Sequence, residues 1–196
     1  MKADLEYLEN AVNEHLKCNY ALIALCQLVL RDTRFAEAPG GIEKHHQYAE
    51  GLTTHVAEVM NNVIKLSGGH PSPVLIVSVI WHDYMKIRDY AIKNGQIVGE
   101  PYKKLICHVA GSFAEFYHTA KNMDLPEEFI DEVSHCLLSH HGRKEWGSPV
   151  EPQTPDAIIL HTADHMSAHG VILCGCIGKQ GDSCYEPSMP RSSDRE

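Results

Sequence analysis

Apolar residues recur three and four positions apart through almost every long segment of this sequence, and in one place only does the period change. Leu5, Leu8, Val12 and Leu16 show the spacing first, and the run stays apolar to Leu30, which predicts one long helix or two joined helices. A loop with the breaker Pro39-Gly40-Gly41 follows, then a helix from Leu52 to Leu66 closed by Gly68-Gly69. The segment VLIVSVIWHDYMKI predicts a helix from Pro73 to about Asp89, and Lys103 to Met123 returns to helical spacing. Asp124 is placed to cap the next helix, with Pro126, Glu127 and Glu128 in its first turn, and that helix stops at Gly142. Thr154-Pro155-Asp156 starts a last helix to about Leu173. The exception is YAIKNGQIVGEPY, where Asn94-Gly95 between β-capable runs predicts a hairpin. The expected fold is therefore all-α, a bundle of about six helices with one small β-hairpin.

A chain of 196 residues that is 43% hydrophobic can bury one sizeable core. Its net charge of −9 argues against an extended surface for tracking nucleic acid, though a small anionic substrate is compatible with it where bound metal supplies positive charge. The N-terminus is polar and acidic where a signal core would lie, and the apolar run Tyr20–Leu30 is too short to span a bilayer, so the expected location is cytoplasmic with no membrane partner. Cys18, Cys26, Cys107 and Cys136 lie in helical, mostly apolar contexts that suit reduced core thiols. Residues 174–196, rich in Gly, Ser, Pro and charge, are expected to be disordered; Cys174, Cys176 and Cys184 there do not make a four-ligand zinc spacing.

Fourteen histidines are the compositional excess, and their positions carry the information. His82 and Asp83 stand side by side in an apolar segment, with Lys86 one turn on. Neighbours on a helix point about 100° apart, so the pair can reach one ion only in the sector between them, and further ligands are needed. His55 lies in the preceding helix, His108 after the hairpin, His140 and His141 at the end of the next helix, and Asp164 in the last. Any one alone is ordinarily a hydrogen-bonded boundary residue. One candidate ligand per helix, however, is how metal sites in bundle cores are built. Imidazoles with two carboxylates suit Mn, Fe, Zn, Co or Ni.

This H…HD…D pattern, His55 then His82-Asp83 then Asp164, resembles the signature of the HD-domain metal-dependent phosphohydrolases, and Lys86 matches the lysine of their HDxxK stretch. The stretches HHQYAEGLTTHVAEV, WHDYMKI, LSHHGRKEWGSP and LHTADHMSAH are similar to the HD domain of YhaM-type 3′-to-5′ exoribonucleases over roughly residues 43 to 170. The resemblance implies an HD-domain bundle at 43–173 with residues 1–42 as a helical extension packed on it. That family carries an N-terminal OB-fold module, whereas the first forty residues here look helical, and it tends to have glycine where this chain has Glu50.

Carried over residue by residue, the resemblance implies that His55, His82, Asp83 and Asp164 hold one divalent metal, Mn or Fe foremost. Asp83 would bridge to a second metal, held also by His108 and by His140 or His141. The implied activity is phosphoester hydrolysis of a nucleotide, cyclic nucleotide or short oligonucleotide by a hydroxide that the two metals activate, with Asp83 and Lys86 catalytic. Lys86 and Arg143 are candidate phosphate contacts, with Lys144 beside them; His45 and His46 are placed to line the entrance, and Trp146 to stack a base or pin its loop. At least two of His161, His165 and His169, which share the last helix with Asp164, are expected behind the ligands or at the surface. Two other functions share this ligand set: a di-iron oxygenase acting on a small phosphonate or polyol, and a non-catalytic nucleotide-sensing bundle. The apolar first helix can pack on the bundle or on a second copy in a homodimer.

Overall fold

Fixed helix starts and interrupted helices set this architecture. The computed structural model describes residues 2–42 and 46–171; His45, the cysteines at 174, 176 and 184 and the expected tail disorder lie outside the described residues. The apolar N-terminal run divides into α1 (Lys2–Leu16) and α2 (Tyr20–Leu30), with Asn19 accepting the Leu22 N–H to cap the second. A short α3 (Thr33–Glu37), capped by Asp32, occupies part of the expected loop. Beyond it come α4 (Gly51–Leu66), α5 (Pro73–Trp81), α6 (Lys86–Asp89), α7 (Pro101–Leu105), α8 (Cys107–Asn122), α9 (Glu127–Ser139) and α10 (Pro155–Ala168). Between α6 and α7 an antiparallel hairpin pairs β1 (Tyr90–Lys93) with β2 (Gln96–Gly99). Asn94 and Gly95 both have positive φ, as a two-residue type I′ turn requires. The fold is all-α with one hairpin, and short segments raise the helix number above the six expected.

Two helices form the centre. Every residue from Gly51 to Val63 of α4 and from Val74 to Trp81 of α5 is buried. Helix α1 lies on both, sinking Leu8, Val12 and Leu16 into the shared core, and Thr54 of α4 donates to the buried Asp4 at 2.9 Å. Helices α9 and α10 close the opposite side through Ile130, Leu137 and Leu160. Phe116 of α8 is fully buried edge-on to Trp81, a burial worth about 1.5–3 kcal/mol. Ser72 caps α5 and also donates to Asp156 in the first turn of α10, tying the starts of the two helices together. No helix among the described residues is long and apolar enough to cross a membrane.

Four expectations are corrected. The helix expected from Pro73 to Asp89 ends at Trp81, because the Met85 amide donates to Ser112 Oγ of α8 (3.1 Å) and the following amides bond three residues back rather than four. His82 and Asp83 therefore lie on a turn beyond the helix. The helix expected from Lys103 to Met123 breaks at Ile106, with Cys107 at φ 68°. Asp124 does not cap α9; at φ 53° it ends α8, where the Leu125 amide reaches back to the Ala120 carbonyl. Cys18 is exposed and Cys107 half-buried, so only Cys26 and Cys136 among these four are core thiols.

The loop before α4 depends on two glycines. A Cβ on Gly51 would lie 2.2 Å from the His46 carbonyl oxygen, and one on Gly40 would lie 2.7 Å from the His46 Cβ. Glu50, in contrast, occupies the left-handed region at φ 73°, where glycine is favoured.

Candidate metal centre

Because α5 stops at Trp81, the turn after it delivers both members of the His82-Asp83 pair to one place. His82 is fully buried and Asp83 nearly so. Asp83 Oδ2 lies 3.1 Å from His55 Nε2 and 3.5 Å from His82 Nε2, and Asp164 Oδ1 of α10 lies 3.1 Å from the same His55 nitrogen. The other oxygen, Asp83 Oδ1, lies 3.3 Å from His108 Nε2 and 3.7 Å from His140 Nε2. His141 Nε2 lies 3.3 Å from His108 Nε2. Two groups result: His55, His82, Asp83 and Asp164 each place one donor atom within 4.8 Å of the others, and so do His108, His140 and His141. Asp83 faces both.

The orientation of each ring has a local cause. His82 Nδ1 donates to the Val79 carbonyl (2.7 Å), His140 Nδ1 to Leu137 (2.7 Å) and His141 Nδ1 to Trp146 (2.9 Å). His108 Nδ1 donates to Asp89 Oδ2 at 2.6 Å, and the backbone N–H of His108 donates to that same oxygen. His55 Nδ1 donates to Ser167 Oγ at 2.9 Å, and Ser167 donates onward to Glu58 Oε2 at 2.7 Å. With Nδ1 engaged in this way, Nε2 of each ring is turned toward the centre, which is how metal-ligating histidines are held.

Burial opposes charge on both carboxylates, yet both stay below the usual carboxylate range: for Asp83 the Lys86 ammonium, 2.5 Å away, is the chief cause, and for Asp164 the hydrogen bond with His55 is. Burial likewise disfavours protonated His55 and His108, but Asp164 and Asp83 outweigh it at His55 and Asp89 at His108, raising each to about 9. Burial lowers His82 to about 4, and burial together with the neighbouring imidazoles lowers His141 to about 3. The pattern is that of a negative centre that draws protons onto two of its rings. Asp83 Oδ1 and His140 Nε2 are buried without a hydrogen bond, an arrangement costing about 1–3 kcal/mol for each orphaned group. Divalent cations would satisfy these atoms and replace the protons, and the imidazole and carboxylate donors suit transition metals; the residues present fit such ions.

A cavity of about 500 Å³ opens over the centre. Lys86, His46 and Trp146 are among the residues that line it. His46 Nε2 also sits 3.0 Å from Glu58 Oε2, so one carboxylate oxygen serves both the loop and the support of His55. Trp146 lies parallel to His165 at 5.6 Å. Arg143 is not on the cavity wall; it is exposed, with its guanidinium 4.9 Å from the Trp146 ring centroid, and Lys144 is exposed beside it. His161, held by the His140 carbonyl, packs on Gly142. Sequence reasoning missed Asp89, Ser167 and Glu58. Asp89 carried one usable signal, an acidic residue directly before the first strand, where it faces the N-terminus of the next long helix.

The chain matches curated proteins named 3′-5′ exoribonuclease YhaM. It is 29% identical to that of Bacillus subtilis (strain 168) over 142 residues, covering 70% of this chain and 44% of the relative. It is 32% identical to that of Geobacillus sp. (strain WCH70) over 143 residues, 70% and 43% respectively. Against the Listeria welshimeri protein it is 32% identical over 140 residues, 68% and 44%. The chain thus spans less than half the length of these relatives. No family model matches it, and no solved structure does.

Proposed function

The chain is a YhaM-like member of the HD family, and from that premise we propose that it is a metal-dependent phosphoesterase acting on nucleic-acid or nucleotide phosphoesters at a dinuclear centre. The observation that carries this reading is the position of Asp83, whose two oxygens face two separate sets of imidazoles. His55, His82, Asp83 and Asp164 would hold one ion, and Asp83, His108, His140 and His141 the other, with Mn or Fe the foremost candidates. When bound, such a pair would lower the pKa of a water and neutralise charge on a phosphoryl group.

The chain's own groups do the remaining work. Lys86 keeps Asp83 ionised and sets positive charge beside the reacting phosphate. The carbonyl, serine and aspartate acceptors hold the rings in one orientation, so little reorganisation is needed as charge develops. Trp146 and His165 form an aromatic wall on which a base can stack, and Arg143 steadies the indole. The relatives' name supports a phosphodiester of RNA as the substrate class; a cyclic or mononucleotide fits the same chemistry.

Metal analysis of the purified protein, coupled to hydrolysis of bis(p-nitrophenyl) phosphate and a short single-stranded RNA with Mn²⁺ added, tests this. About two ions per chain and release of p-nitrophenol or shortened RNA are expected. Oxygen uptake with a phosphonate or polyol, and no hydrolysis of any phosphoester, would establish the iron oxygenase instead.

A further inference from the structure

The cavity over the centre is unusual in charge for a chain of net −9: among the described residues Asp164 is the acidic one on its wall, and the lysines there are Lys86 and Lys103. Lys86 is engaged by Asp83. Lys103, in α7, is half-buried, and its ammonium sits 4.6 Å from the centroid of the Tyr90 ring, which also lines the cavity. Among the described residues Lys103 makes no ion pair, whereas Lys93 nearby is paired with Glu100 at 2.5 Å. The ring face fixes where the ammonium points without neutralising it. Its segment is also anchored to the centre, because the Glu100 amide donates to the Asp89 carbonyl (2.8 Å), and the Asp89 side chain holds His108.

We infer that Lys103 forms a second phosphate subsite, taking a phosphate group of the substrate other than the one that reacts. This rests on the phosphoesterase reading above and adds to it a substrate with at least two phosphates, one at the ions and one across the cavity at Lys103. A half-buried, unneutralised cation on the wall of a cavity in an acidic protein has an anion as its natural occupant. The phosphate can come from a neighbouring diester of a strand or from a terminal phosphate, and the same lysine chemistry serves both.

Binding of a short single-stranded RNA with phosphorothioate linkages, followed by fluorescence anisotropy with Mn²⁺ over a range of salt, is the test. Each phosphate neutralised on a single strand contributes about −0.7 to the slope of log K against log salt. Lys103→Gln is expected to make the slope shallower by about 0.7 and to weaken binding about tenfold. Lys103→Arg should restore the slope, and Lys104→Gln, an exposed neighbour, should leave it at the wild-type value. A strand with and without a 5′-phosphate separates the sources: loss of the effect without that group assigns the terminal phosphate, and its persistence assigns the diester. An unchanged slope in Lys103→Gln, or an equal change in Lys104→Gln, overturns the subsite. If the wild type binds metal but hydrolyses no phosphoester, the phosphoesterase reading fails, while the salt slope still shows by itself whether Lys103 neutralises a phosphate.

Discussion

Asp89 accepts two hydrogen bonds from His108 through a single carboxylate oxygen, one from the ring at 2.6 Å and one from the backbone amide at 3.3 Å. It thus fixes the ring that faces Asp83 and supplies the missing cap at the start of α8, where no side chain of Ile106 serves. Asp89→Asn keeps the shape but removes the charge. Metal affinity at the His108, His140 and His141 group is expected to fall about 10–100-fold, with the other group little changed. Titration with Mn²⁺ followed by calorimetry would show one weakened step out of two; two equal steps would contradict the role.

Ser167 plays the corresponding part for His55. Ser167→Ala leaves the Nδ1 proton of His55 without its acceptor and Glu58 without one donor. Affinity at the His55 group is expected to drop about 10–100-fold, and Ser167→Thr, which keeps the hydroxyl, should recover most of it. The same calorimetric titration reads both.

Asp83→Asn is expected to reduce bound metal at both groups, since one of its oxygens faces each of them. Phosphoester hydrolysis should fall at least about 100-fold. Retention of about two ions per chain by elemental analysis would overturn the proposal that Asp83 serves both groups.

Chelation should lower thermal stability. An ion present at about 100 times its dissociation constant stabilises the folded state by about 2.7 kcal/mol per site, and removing it also returns Asp83 Oδ1 and His140 Nε2 to their unsatisfied state. A melting temperature that does not move on adding EDTA, in protein shown to have lost metal, would count against ions in these positions.

Two substitutions in adjacent residues should have opposite signs. Glu50→Gly relieves a left-handed backbone and is expected to stabilise by about 1 kcal/mol. Gly51→Ala drives a methyl group against the His46 carbonyl and should cost more than about 2 kcal/mol, with loss of the loop that walls the cavity. Urea unfolding of both variants compares them directly.

The sequence by itself determined what depends on near neighbours. The Asn94-Gly95 turn, the Thr154 cap before Pro155 and the helical period of the apolar residues follow from residues a few positions apart, and each is present in the fold. It also marked the candidate ligands, because imidazoles and carboxylates within apolar runs stand out against their surroundings. Only the tertiary structure decided how they meet. The end of α5 at Trp81 rests on a hydroxyl from Ser112, 27 residues from the Met85 amide it accepts, and the support of His55 rests on Ser167, 112 residues away. Hydrogen bonds of that range leave no period in the chain. They turned a pair expected to diverge by about 100° on a helix into a turn whose carboxylate faces two groups of imidazoles at once.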